Sequence, residues 1–379
     1  MSVLADLLIV ELASVLAGPA VGQFFTELGA RVIKIENATT GGDVTRNWKV
    51  SGEDPDKKDS AYFKSINHGK ASRFLDFGDP TDREFAYELI RHADVVISNF
   101  PLRTAIKVGM EPERLLEMNP TLIFAQLDAF PPGNEDRPAY DIVLQAETGF
   151  LSMTGTTSGE ICRMPVALID ILAAHQLKEG ILLGLLKRER SGKGGLIRTN
   201  LYDSALASLA NQATNYLVAD KVAVPMGSQH PNIAPYGDIF VTSDGERIVL
   251  AVGSDRQFSD LCQLLGITDI PKKLRTNSAR VTNRSELIDL LAPKLAAIEL
   301  QQTLLLCQDK KVPVGHIKNM AQVFATAEAQ RRLLIYPDGE KTVRTVAFEM
   351  EGEPITGEIQ GHQARPEEDS MVENEREKF

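Results

Sequence analysis

Apolar positions in the first 130 residues switch between unbroken runs and runs spaced three and four apart, which predicts strands alternating with helices. LLIVEL (7–12) reads as a buried strand, PAVGQFFTEL (19–28) as a helix and ARVIKIE (30–36) as a second strand. Pro19 stands at a plausible first helical position and Gly29 at the stop. The alternation continues through SRFLDF (72–77), the helical DREFAYELIRHA (82–93), the strand DVVISNF (94–100), the helical PERLLEMN and the strand TLIFAQLDAF (121–130). The expected architecture is α/β, a doubly wound, mainly parallel sheet in a large domain.

After Tyr140 the pattern changes to two long helical stretches, 140–153 and 170–189, separated by a loop containing TGTTSGE. A strand leading into a helix is expected over 196–219. PMGSQHPNIAPYGDIF (225–240) has the turn residues of a linker, so the large domain is expected to span 1–225 and a smaller α/β domain 226–318. Inside the smaller one, DIFVTSDGERIVLAV reads as a hairpin turning at Asp244 and Gly245, followed by three helices. Residues 319–379 are expected to return to the large domain and to end in a frayed charged tail, 365–379.

The composition, 43% hydrophobic and 25% charged over 379 residues, is that of a folded protein long enough for two or three cores. A net charge of -11 argues against nucleic acid and anionic membranes as partners, and no apolar run reaches membrane-spanning length. Three widely separated cysteines suggest neither a disulfide framework nor a zinc site, and a cytoplasmic protein is expected. The six histidines show no metal spacing, so no metal is expected. Glu36 ends the second strand where a dinucleotide fold places a ribose-binding acid, but the preceding loop, ASVLAGPA, lacks the closely spaced glycines that let backbone approach a pyrophosphate.

Asp170 opens the long apolar helix. Spacing alone reads it as an N-cap, and an ionised, partly desolvated carboxylate there is also a competent nucleophile toward an activated acyl group.

Longer stretches carry a resemblance. ELASVLAGPAVGQFFTELGARVIKIE with GGDVTR, ADVVISNF, YDIVLQAETGFLSMTG, MPVALIDILAAHQLKEGILLGLLKRERSGKGG, LYDSALASLANQ, HPNIAPYGDIF and VPVGHIKNM occur in the order seen in the class III CoA-transferases. That family includes formyl-CoA transferase, carnitine-related CoA-transferases and 2-methylacyl-CoA racemase. The resemblance implies an enzyme that moves CoA from an acyl-CoA to a carboxylic acid through mixed anhydrides and an aspartyl-CoA thioester on Asp170, with Tyr140 beside it. It implies contacts to CoA from Val15, Leu16, Ala17, Asn37, Leu75, Asn99, Lys107 and Asp141, and an intertwined homodimer whose threading passes near residues 215–235 and 315–325.

Asn37 stands where relatives often have arginine, which removes a positive contact, and Lys107 where some have arginine, which replaces a bidentate fork on phosphate by a point charge. No glycine run comes after HPNIAPYGDIF, which argues against formyl or oxalyl transfer. The racemase branch would place a histidine at position 140; tyrosine, with an ordinary pKa of about 10, is a poor proton acceptor, so racemisation is the alternative and CoA binding without turnover a second.

Overall fold

The computed structural model describes residues 3–134 and 137–350; His362 and the charged tail lie outside them. The chain divides into two units, one built from residues up to Gly149, Met164–Lys221 and from Arg332 on, the other from Phe150–Arg163 and Val222–Arg331. The divisions fall at 221 and 331, where the sequence pattern suggests 225 and 318, and residues 150–163 join the smaller unit.

In the larger unit, β1 (Leu8–Leu12), β2 (Arg31–Asn37), β3 (Ala71–Leu75), β4 (Val95–Ser98), β5 (Ile123–Asp128) and β6 (Gly195–Asn200) form one sheet in the order β3-β2-β1-β4-β5-β6. Every neighbouring pair is parallel, with Ile9 opposite Val32 on one side and Val95 on the other. Val10, Ile33, Val96 and Phe124 are buried in one core, which is why these strands read as unbroken apolar runs. The winding reverses between β1 and β4, and in such sheets the crevice outside the strands' carboxyl ends at the reversal is where ligands bind.

Two charged residues interrupt the apolar runs of β1 and β2. Glu11 and Lys34 are fully buried, and Lys70 joins them: Glu11 Oε1 lies 3.0 Å from Lys34 Nζ, and its Oε2 2.8 Å from Lys70 Nζ. Gly22, inside the Ala17–Glu27 helix, leaves the space these groups occupy, since a Cβ there would lie 1.9 Å from Glu11 Oε2.

Several helices differ from their expected bounds. The first begins at Ala17, so Pro19 is its third residue, where a missing N–H still costs nothing. The stretch 140–153 is not one helix: Gly149 at φ 87° separates Asp141–Glu147 from Phe150–Met153. The helix expected before residue 219 breaks into Leu201–Ala207 and Ala210–Ala219, with Ala210 at φ 47°.

The smaller unit holds an antiparallel sheet of β7 (Tyr236–Val241), β8 (Arg247–Ala251) and β9 (Val314–His316) over a core that includes Phe240, Ile248, Phe258 and Leu291. Its hairpin turns through Gly245 at φ 83°, as the Asp-Gly pair predicts. In the larger unit, the hairpin of β10 (Leu333–Ile335) and β11 (Lys341–Val343) is fastened by Lys64, whose ammonium lies 2.9 Å from Asp338.

Helix propensity alone makes Gly22→Ala stabilising by up to about 1 kcal/mol. Glu11 has both oxygens engaged and nowhere to swing, so the expected outcome is a loss of roughly 3 kcal/mol or more, read from urea unfolding. A stabilised variant would show that the buried charges yield.

Candidate active site

The helix carrying Asp170 runs Leu168–Ser191, two residues earlier than the sequence spacing suggests. Its N-cap is Ala167, which contributes no side-chain bond, and Asp170 is its third residue. The expectation that Asp170 is the cap is therefore corrected: Asp141 does that work from another helix. Its Oδ1 accepts the amides of Ile169 at 2.6 Å and Asp170 at 3.3 Å. Gln145 Nε2 donates to Asp141 Oδ2, and Gln145 Oε1 accepts the Met164 amide at 3.1 Å. The structure thus commits the Asp141 carboxylate, expected at the cofactor, to the start of the Asp170 helix.

Freed from capping, Asp170 is buried, and nothing among the described residues donates a hydrogen bond to its carboxylate. Burial, then the charge of Asp141, pushes its pKa up to about 7, against the helix N-terminus that favours the anion. Tyr62, on the short helix Ala61–Ser65, is raised to about 12 by burial and by the charges of Asp170, Asp141 and Asp43. At neutral pH it is a phenol able to donate. Trp48 meets Tyr62 edge-on at 5.2 Å between ring centroids and Tyr140 at 6.4 Å. Tyr140 is exposed and is the N-cap residue of the Asp141–Glu147 helix.

Sequence reasoning missed Trp48 and Tyr62, because residues 38–65 carry no periodic apolar signal. What marked them was that Trp48 is the chain's single tryptophan and that Ser60 has the chemistry of an N-cap; its Oγ accepts the Phe63 amide at 3.0 Å.

At the carboxyl ends of β1 and β4 the loop with Val15, Leu16 and Ala17 meets Asn99. Asn99 Oδ1 accepts the Ser14 amide at 3.2 Å, and its Nδ2 donates to Ser14 O at 2.9 Å. Val15 has φ 72°, a conformation costing a β-branched residue roughly 1–3 kcal/mol. Its amide donates to Asp43 Oδ2 at 3.2 Å. Asp43 also accepts the Thr45 amide and hydroxyl and pairs with Lys34 at 3.0 Å. Burial opposes its ionisation, but Lys34 and Thr45 outweigh that and hold its pKa below the ordinary value. Burial likewise opposes the Lys34 ammonium and is outweighed by Glu11 and Asp43, whereas burial of Lys70, less well compensated, pushes it down to about 8.

Asn37 and Leu75 are register partners at the ends of β2 and β3. The Asn37 oxygen is committed to the Thr39 amide and hydroxyl, at 2.9 and 2.7 Å. Lys107 stands exposed in the last turn of the Leu102–Val108 helix. The expected residues therefore fall into three places: Tyr140, Asp141 and Asp170 with Tyr62; Val15, Leu16, Ala17 and Asn99 on one loop crossing; and Asn37 with Leu75. Lys107 joins none of them. The described residues contain no group of three or more His, Cys, Asp or Glu side chains placed to hold a metal.

A doubly wound parallel sheet with a buried carboxylate at a helix start defines an α/β protein with one candidate reactive group. The family comes from comparison: the CoA-transferase family III model matches residues 4–369, and the chain belongs to that family. It is 36% identical over 336 residues to a succinate-glutarate CoA-transferase of Agrobacterium fabrum, covering 87% of this chain and 83% of that protein. It is 32% identical over 343 residues to a succinyl-CoA:glutarate CoA-transferase of Mus musculus, covering 89% and 77%. Among solved structures, a CaiB/BaiF family protein from Brucella suis matches with a TM-score of 0.80 at 37% identity, covering 92% of this chain and 93% of that one.

The raised pKa of Asp170 has a stability signature. Its folded value, about 7, lies above the unfolded carboxylate value, so the penalty is absent below about pH 4, grows as pH rises, and is complete above 7. Asp170→Asn removes it. The variant is expected to match the parent at pH 4 and to be more stable by roughly 2–4 kcal/mol at pH 8, measured by denaturant unfolding at both. Equal stability at pH 8 would mean that Asp170 is not desolvated.

Proposed function

We propose that this enzyme transfers CoA from a short dicarboxylic acyl-CoA such as succinyl-CoA to a dicarboxylic acid acceptor, with Asp170 as the covalent carrier. The observation that carries the reading is the buried Asp170 carboxylate, its oxygens left free because Asp141 caps its helix. A desolvated carboxylate of raised basicity attacks a thioester better than a hydrated one. The named activities of the family relatives supply the substrate class.

Asp170 attacks the donor thioester carbonyl; the C–S bond breaks, giving a mixed anhydride and CoA thiolate. The thiolate attacks the aspartyl carbonyl, forming the aspartyl-CoA thioester and releasing the donor acid. The acceptor carboxylate attacks that thioester, giving a second anhydride and thiolate again. Attack of the thiolate on the acceptor's acyl carbon yields the new acyl-CoA and restores Asp170. Tyr62, a neutral donor beside Asp170, suits an oxyanion or a substrate carboxylate, and Tyr140 borders the same aromatic group. CoA would lie across the carboxyl ends of β1 to β4, against Val15, Leu16, Ala17, Asn99, Asn37 and Leu75, with Lys107 reaching its phosphates.

The same proposal makes the working form a cytoplasmic intertwined homodimer. Supporting it, Leu183, Leu217 and Val218 are apolar yet 67%, 78% and 79% exposed in the single chain. A stable, active monomer in sedimentation would exclude the dimer.

Incubation with a panel of acyl-CoAs and then hydroxylamine, with peptide mass spectrometry as the readout, is expected to place a hydroxamate on Asp170. Its absence with every donor, together with α-proton exchange into deuterated water without an acceptor, would assign the racemase activity instead. Because the nucleophile is the anion, kcat/KM for the donor should rise with pH to a plateau, with a midpoint near 7. Asp141→Asn keeps an acceptor for the two amides but removes the charge, and should lower that midpoint by about one unit. An unmoved midpoint would take Asp141 out of the electrostatics.

A further inference from the structure

The segment from Ala13 to Pro19 is gripped from below at successive backbone atoms. Lys34 Nζ donates to Ala13 O at 2.6 Å, Asn99 holds both polar groups of the Ser14 backbone, Asp43 accepts from Val15, and Lys70 Nζ donates to Pro19 O at 2.8 Å. Glu11 ties the two ammonium groups together. Within this cluster each lysine has three acceptors: Glu11, Asp43 and Ala13 O for Lys34; Glu11, Pro19 O and Asn67 for Lys70.

No N–H of either ammonium is left for a ligand, and both are buried. Whatever the cluster does for a ligand must pass through the loop. What the loop offers is backbone: the amides of Leu16, Ala17 and Gly18 have no acceptor among the described residues, at the start of the Ala17–Glu27 helix. Their direction depends on Val15 staying left-handed, a conformation that valine resists and the bond to Asp43 maintains.

We propose that Asp43 and Lys34 are positioning residues for acyl-CoA binding, holding Val15 left-handed so that the Leu16, Ala17 and Gly18 amides face the substrate. The inference rests on the reading that this loop binds CoA. Neither residue bonds or pairs with Asp170, and Asp43 reaches that group only through its charge on Tyr62, so they should govern affinity more than the turnover of bound substrate.

The test uses the full chain as wild type, Asp43→Asn and the double variant Lys34→Met/Asp43→Asn, each also in a Val15→Gly background. Affinity is read by calorimetric titration with free CoA, and turnover with succinyl-CoA and glutarate. Asp43→Asn is expected to raise the CoA Kd and the donor KM about 10-fold while kcat changes less than about 3-fold. In the Val15→Gly background the Kd effect should shrink to about 2-fold, since glycine holds a positive φ without help. The double variant removes opposite charges together and carries the test if Asp43→Asn does not fold.

An unchanged CoA Kd in a folded variant, or the same loss in both backgrounds, would overturn the proposal. A wild type that binds CoA with the expected variant effects yet transfers it to no acid would overturn the transferase reading and support this one.

Discussion

The start of the Asp170 helix is held by a carboxylate that belongs to a different helix, and the site depends on that arrangement. A helix leaves its first amides without partners, and a polar side chain at the N-cap ordinarily takes one of them. Here Ala167 cannot, and Asp141 accepts two. A second negative charge is thereby fixed beside Asp170, which would itself be the obvious cap in a helix begun at that residue. Capping falls to Asp141 and leaves the Asp170 carboxylate unengaged, and burial, then the charge of Asp141, makes Asp170 more basic. Gln145 locks the arrangement, binding Asp141 with its amide nitrogen and the Met164 backbone with its oxygen.

The same economy of carboxylates recurs around β2. In dinucleotide-binding sheets an acid at the end of the second strand faces a ribose. Glu36 occupies that place but is buried, accepting the Asp43 amide at 2.8 Å and pairing with Arg46, whose guanidinium lies 3.7 Å from the Phe63 ring centroid. It organises the segment that delivers Asp43 instead of meeting a nucleotide sugar. A Cβ on Gly42, at φ 95°, would come within 2.6 Å of Glu36 Oε2, so glycine is required where the chain passes this acid. A shared strand order therefore supports a different ligand chemistry, because the loops leaving the strand ends differ.

Much of the larger unit was legible in the sequence. Unbroken apolar runs separated by helical spacing lead directly to a parallel sheet: β1, β2, β4 and β5 lie where those runs are, and β3 and β6 fall on the more polar stretches also read as strands. Asp170 was legible as a residue of interest by resemblance, but not as to its position in the helix. Helical periodicity cannot say that Leu168 and Ile169 are already inside the helix when the capping carboxylate lies 29 residues upstream of Asp170 in the chain. Trp48 and Tyr62 lie in a segment whose form comes from caps and ion pairs, not from a repeating apolar face. Glu11, Lys34 and Lys70 were invisible for another reason: charged residues are read as surface, and only the assembled sheet shows that they satisfy one another.

Three locally unfavourable features thus gather at the carboxyl ends of the strands: a carboxylate raised to about 7, a valine at positive φ, and a buried four-charge cluster. Each is one that a sequence selected for stability alone would avoid, since apolar packing serves as well as a buried ion pair and glycine suits φ 72° better than valine. The apolar middle of the sheet, where Ile9, Val10, Val96 and Phe124 are wholly buried, shows no such conflict. Departures from local consistency that collect at one end of an otherwise consistent sheet are the mark of selection for something besides folding. In this chain they include the one buried carboxylate, among the described residues, that no hydrogen-bond donor claims.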